Sequence, residues 1–152
     1  MRSLRKSRLS RISSRNGAAA VECAIVAPLL TLFVLGAIDV GQFANIYQKV
    51  SDASREGARV AARYDTQTTS EVQAAVMDYL NDVASDELAS SASVSVTDSG
   101  GNAIPNGALQ TIATGSPVRV EVSVQFDPVR WISRVESLNG RQVEAKATMR
   151  RE

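Results

Sequence analysis

Polar and apolar residues are sharply segregated at the N-terminal end of this chain. Residues 1–16 are basic and Ser-rich, whereas from Gly17 to Ile38 the only charge is Glu22. A helix needs roughly 20 apolar residues to cross the hydrocarbon core of a bilayer, and the run from Gly17 to Ile38 has that length. Beyond it, Val40, Phe43, Tyr47, Val50, Ser54, Gly57, Ala61 and Tyr64 recur at alternating spacings of three and four, which places them on one helical stripe. Lys49, Asp52, Arg55, Glu56, Arg59 and Arg63 fall between them, on the solvated side. No proline occurs between Leu29 and Ile104. The pattern therefore predicts one helix from about Ala18 to Tyr64, roughly 70 Å long, with its first part in lipid (18–38) and its second in water. The outer stripe is expected to pack against the chain's own C-terminal domain, against helices of other subunits, or against both. Small residues at Ser54, Gly57 and Ala61 favour close approach at that level.

Asp65 to Thr69 breaks the helical pattern. Ser70, followed by Glu71 and Gln73, resembles an N-cap with a capping box, and Val72, Ala75, Val76, Tyr79, Leu80 and Val83 give the following helix one apolar face. That helix is expected to end near Asp86 to Ala89. Val94 and Val96 alternate with Ser and Thr as a short strand before the turn residues Ser99-Gly100-Gly101-Asn102, and Ala103 to Pro117 reads as loop. Val118, Val120, Val122, Val124 and Phe126 alternate with Arg119, Glu121, Ser123 and Gln125, the clearest strand in the chain. Pro128 ends it, Val129 to Val135 with Trp131 and Ile132 is expected as a short helix, and Asn139-Gly140 as a turn. Val143, Ala145, Ala147 and Met149 alternate as a last strand. The fold class expected is α+β: a long N-terminal transmembrane and amphipathic helix, then a small domain over 65–152 with a second helix and a three-stranded antiparallel sheet.

Charge sharpens the division. The first 15 residues carry Arg2, Arg5, Lys6, Arg8, Arg11 and Arg15 and no acid, so the 17 basic residues less these six leave 11 against 16 acids, a net −5 for the remainder. A basic segment ahead of an apolar helix stays cytoplasmic and directs the downstream chain outward. The segment lacks interleaved aromatics and abuts the span, so it reads as a topology signal rather than a nucleic-acid contact. Cys23 is the only cysteine, so no intramolecular disulfide forms, and the absence of histidine removes the usual general base and the commonest metal ligand. No metal-ligand cluster, phosphate-cradling loop or nucleophile with a base stands out, and the acids Asp86-Glu87 read as a solvated helix end. No catalytic residue, metal site or cofactor is expected. A cleaved secretory signal is the nearest competitor for the apolar run, but Val34-Leu35-Gly36-Ala37-Ile38-Asp39 lacks the small-x-small pattern such a site uses.

The best small-residue junction lies ahead of the run, in Arg15-Asn16-Gly17-Ala18-Ala19-Ala20-Val21-Glu22. Cleavage after Gly17 makes Glu22 the fifth residue of the product. A short basic leader (1–17) ending in Gly, followed by an apolar helix with Glu at its fifth position, resembles precursors cut by prepilin peptidases. Within that group, Gly17 to Leu30 (GAAAVECAIVAPLL) together with Ser54-Arg55-Glu56-Gly57-Ala58-Arg59 is similar to the TadE-like family, and Ala145 to Glu152 is similar to the end of such proteins. Cys23 departs from the pattern, since a bulky aromatic or apolar residue usually comes after the Glu.

That resemblance implies a minor pilin or pseudopilin of a tight-adherence (Tad, Flp-type) pilus, whose machinery serves surface adhesion and biofilm formation. The implied partners are a prepilin peptidase, other pilin or pseudopilin subunits, the inner-membrane assembly platform and the lipid bilayer. Its implied place is the bacterial inner membrane, with the N-terminus cytoplasmic and the C-terminal domain periplasmic or extracellular. Glu22 is expected to dock subunits by pairing with an α-ammonium freed at Ala18, and Pro28 to kink the apolar helix. The alternatives are an uncleaved single-pass anchor or scaffold with a periplasmic interaction domain, and a secreted enzyme that loses the whole apolar run.

Overall fold

The computed structural model describes residues 9–84, 86–126 and 141–152. Residues 1–8, the expected short helix at Val129 to Val135 and the expected turn at Asn139-Gly140 lie outside the described residues. Helix α1 spans Leu9–Ala62, α2 Thr69–Val83 and the short α3 Asp86–Ser90. Strands β1 (Ser93–Thr97), β2 (Pro117–Phe126) and β3 (Arg141–Arg150) form one antiparallel sheet in the order β1-β2-β3, and a 3-10 turn at Leu109–Thr111 interrupts the loop between β1 and β2. This is the α+β architecture the sequence pattern predicts. The chain divides into two compact units, Met1–Gly41 and Gln42–Glu152. The folded unit thus takes in Gln42–Ala62 of α1 as well as the segment from Asp65 onward.

Alternation decides which face of the sheet is inside. Val118, Val120, Val122 and Val124 of β2 are buried, as are Val96 of β1 and Val143 and Ala145 of β3. Helix α2 lays Val72, Val76 and Leu80 against them, with Ala75, Tyr79 and Val83 half-buried beside these. The loop after β1 contributes Ile104 and Leu109, two core residues that its turn-rich composition does not announce.

Four boundaries differ from expectation: α1 ends at Ala62 rather than Tyr64, α2 ends at Val83 rather than near Asp86 to Ala89, where the separate α3 lies, and the starts of both helices shift. Helix α1 starts at Leu9 rather than near Ala18. No proline interrupts the chain there, and a single interior glycine, Gly17, costs a helix only about 1 kcal/mol. The expected cap of α2 at Ser70 is corrected to Thr68, whose backbone is extended and whose Oγ1 accepts from Glu71 N at 3.2 Å and donates to Glu71 Oε1 at 2.8 Å. The spacing Thr68-x-x-Glu71 fits the capping box as well as Ser70-x-x-Gln73 does, but starting at Thr69 also brings Asn106 within reach. Asn106 Oδ1 accepts from Ser70 N and from Thr69 Oγ1, both at 3.3 Å. In the β1 turn, Asp98 Oδ1 accepts from the backbone N–H groups of Gly100 (2.8 Å) and Asn102 (2.9 Å), and these bonds, Asn102's foremost, hold its carboxyl below the ordinary aspartate range.

The C-terminal end of α1 is closed by the last residues of the chain. Arg151, 4% exposed, donates from Nη1 to the Ala61 carbonyl and from Nη2 to the Thr66 carbonyl, both at 2.8 Å. Glu152 N donates to Ala62 O at 2.8 Å, and Thr66 Oγ1 to Val60 O at 2.7 Å. Carbonyls that a helix end leaves without partners are thereby satisfied, and a cation sits where the helix dipole is negative. Replacing Arg151 with Met leaves the Ala61 and Thr66 carbonyls short of donors in a buried site, a loss of about 1–3 kcal/mol. Thermal unfolding followed by circular dichroism is expected to shift down by roughly 4–8 °C per kcal/mol. An unchanged midpoint would show that the cap contributes nothing.

Candidate membrane span and assembly segment

Among its described residues the first unit presents one structural element, the N-terminal part of α1. From Gly17 to Val34 every residue is exposed, including Val21, Ile25, Leu29, Leu30, Leu32 and Phe33 at 57–75%. In water such a surface carries a large hydrophobic penalty, because burying an apolar side chain is worth about 1.5–3 kcal/mol each. Lipid removes that penalty, and the helix is long and apolar enough to cross a membrane. Ala18, Ala19 and Ala20 carry the helix in from Gly17. Pro28 lies inside α1 and removes one backbone donor, while Thr31 Oγ1 donates to Ala27 O at 2.8 Å just beyond it. At the outer end of the run stands Asp39, whose Oδ1 is buried without a hydrogen-bond partner.

Glu22 lies within the apolar stretch and is exposed along its length with Cys23. The residues one turn away are Ala18, Ala19, Ile25 and Val26, none of which carries a side chain that can pair with a carboxylate. A charge in such a place costs roughly 2.5–3.5 kcal/mol on insertion scales. Gly17 lies within the helix, with open space where a side chain would begin.

The eight stripe residues separate into two groups. Val50, Ser54, Gly57 and Ala61 are buried in the second unit's own core, joined there by Ala53, Ala58 and Ala62. Val40, Phe43, Tyr47 and Tyr64 are exposed, at 70, 42, 49 and 82%. Ser54 meets its hydrogen-bonding need locally, donating to Ser51 O at 2.8 Å. On the opposite side Arg59 Nε donates to Glu56 Oε2 at 2.8 Å, and this bond holds the Glu56 carboxyl below the ordinary glutamate range. Arg55 pairs with Asp52 at 3.4 Å. Exposed pairs of this kind contribute little to stability and mark the face as solvated. Arg151 and Asn106, which fix the ends of α1 and α2, carry no sequence signal that separates them from ordinary surface residues.

Among the described residues, one apolar N-terminal helix that could span a membrane, continued into a small α+β unit, is the architecture of a membrane-anchored protein. Comparison with known families finds a similarity over part of the chain. The model of the family described as TadE-like protein matches residues 17–59, the stretch that runs from the junction glycine through the buried part of α1. The similarity covers 43 of the 152 residues. No curated protein and no solved structure matches it.

Two lysines in the apolar run, Leu30→Lys with Phe33→Lys, add an insertion cost of about 5–7 kcal/mol in total. The unaltered chain is expected in the alkali-resistant membrane fraction, and the double variant in the extractable fraction. Recovery of the unaltered chain as soluble protein would exclude a spanning role for residues 17–38.

Proposed function

We propose that the protein is a minor pilin or pseudopilin of a Tad pilus, processed by a prepilin peptidase between Gly17 and Ala18. The observation that carries this reading is the TadE-like match that begins at Gly17, combined with the exposed Glu22, which has no partner among the described residues. In this reading the basic residues 1–17 stay cytoplasmic, residues 18–38 cross the inner membrane, and the α+β unit lies outside. Cleavage frees an α-ammonium at Ala18, one helical turn from Glu22, and the same ammonium on a neighbouring subunit competes for that carboxylate. Pairing between subunits fixes the axial register of packed helices, because a carboxylate left alone in lipid costs more than a shifted register gains. The role is structural rather than enzymatic. It contributes to pilus assembly at the inner-membrane platform and, through the pilus, to adhesion and biofilm formation.

An uncleaved single-pass anchor or scaffold is the second reading, favoured by the unbroken passage of α1 through Gly17. Intact-mass measurement of the protein from a host with the peptidase separates the two: loss of Met1 to Gly17 supports the pilin reading, and a retained leader excludes it. Glu22→Gln is expected to leave cleavage and membrane insertion intact while reducing co-assembly with other pilin subunits, read by co-purification and by pili on the cell surface. Normal piliation with the Gln variant would leave Glu22 without a docking role.

A further inference from the structure

The two edges of the sheet are treated differently. On β1 the outer edge is closed: Val96 O accepts from Ile104 N at 2.9 Å, Thr97 bridges Ala103, and the Gln73 side chain reaches Val94 O at 3.5 Å. On β3, among the described residues, no hydrogen bond meets the outer edge. Which backbone groups face outward is set by the register. Val96 turns its carbonyl away from β2, so the opposed pair Val96 and Val120 exchanges no hydrogen bonds, and Val120 faces β3 instead. Its partner Ala147, and with it Val143, Ala145 and Met149, bonds to β2. Arg151 N donating to Ser116 O at 3.0 Å continues the same parity. The even-numbered residues Gln142, Glu144, Lys146, Thr148 and Arg150 therefore present their N–H and C=O groups outward. Their side chains are exposed on the polar face.

We propose that this free β3 edge docks an extended antiparallel segment of another protein that carries an acidic residue and, two positions later, a basic one. An antiparallel strand must place its own outward-facing residues opposite the even-numbered ones. Glu144 and Lys146 then select the register, with the partner's acid opposite Lys146 and its base opposite Glu144. Lys146 already holds Glu121 on β2 at 3.0 Å, so the docked acid extends a row of alternating charge across the sheet. Toward the other face, Ala147 is half-buried and Met149 is 37% exposed, which suits an apolar residue at the partner's intervening positions.

A second copy of the chain has a matching sequence, since pairing centred on Ala145 sets Glu144 against Lys146 twice. Its geometry is unsuitable. Such a pair is related by a two-fold axis perpendicular to the sheet, and Gln42–Ala62 of α1 lies along the sheet's inner face, with Gly57 against Val120. The axis reverses that helix, so the two chains would enter their folded units from opposite directions, which copies anchored in one bilayer cannot do. This exclusion of a second copy rests on the membrane-anchored reading, whereas the edge itself does not.

A free peptide carries no anchor, so a synthetic peptide with the sequence of Arg141–Arg150 is a suitable probe for the full-length protein in phospholipid nanodiscs. Amide exchange is expected to slow at Glu144, Lys146 and Thr148 as peptide is added, and to stay unchanged at the already bonded Val143, Ala145 and Ala147. A peptide with Glu and Lys interchanged sets like charges opposite each other and is expected to bind roughly tenfold more weakly. The E144K/K146E protein is expected to reverse that preference. N-methylation of the peptide at its Glu and Lys is expected to abolish binding, and N-methylation at the alanine between them to leave it. Equal binding of both peptides, no response to either, or slow exchange at Glu144 and Lys146 before any peptide is added would overturn the proposal. So would a crosslink between copies bearing Glu144→Cys and Lys146→Cys in the nanodisc, because the occupant would then be a second chain. None of these readouts depends on cleavage after Gly17 or on Glu22, so failure here leaves the pilin reading standing.

Discussion

The close approach of α1 to the valines beneath it is the constraint on which the folded unit depends. A Cβ placed on Gly57 would lie 2.6 Å from Val76 Cγ2 and 3.1 Å from Val120 Cγ1. These atoms belong to α2 and to the central strand, so one missing side chain lets a single helix touch both layers at once. Val50, Ala53, Ala58 and Ala61 extend the contact along the helix, and all four are fully buried. Large residues at these positions would lift α1 off and leave Val72, Val76, Val120 and Val122 facing a gap. With only 5% aromatics in the chain, the core relies on tight packing of small and β-branched residues rather than on a few large ones.

The two parts of α1 differ in the surroundings they suit. From Gly17 to Ile38 the helix is apolar on every side apart from Glu22 and suits lipid; downstream the apolar surface narrows to a stripe and the opposite face carries Asp52, Arg55, Glu56 and Arg59. The core contact of Gln42–Ala62 and the cap from Arg151 anchor the outer half of the helix to the sheet.

Much of this was legible in the residues because period and punctuation agreed. The alternation of Val118 to Val124, the stripe of α2 and the turn at Gly100-Gly101 each have a local physical cause, and the sheet has the three antiparallel strands expected, while their order β1-β2-β3 is set by pairing that no local pattern announces. The apolar run and its junction glycine carried the family resemblance without help from the fold. What escaped depends on contacts distant in sequence. Arg151 lies 90 residues from the carbonyl of Ala61 that it caps, and Asn106 lies 36 from the Ser70 amide, so no window of neighbouring residues reveals either role. Tyr64 continues the three-four spacing but falls past Ala62, where α1 ends, and periodicity alone cannot place that end. Thr68 and Ser70 offered equivalent capping signals, and the choice between them was made by a side chain in another loop.

Thermal unfolding of Gly57→Ala, set beside the unaltered protein in the same membrane mimetic, reads the seating of α1 without an intermediary. In a helix free of tight neighbours this change stabilises by about 1 kcal/mol, because glycine is the poorer helix former. If α1 is seated on Val76 and Val120 as described, the added methyl overpacks the contact at a cost of about 1–3 kcal/mol. The midpoint is then expected not to rise, and for Gly57→Val, which adds bulk without alanine's helix propensity, to fall clearly. A raised midpoint for alanine together with an unchanged one for valine would mean that the helix does not approach the sheet at Gly57, and would contradict the packing on which the folded unit depends.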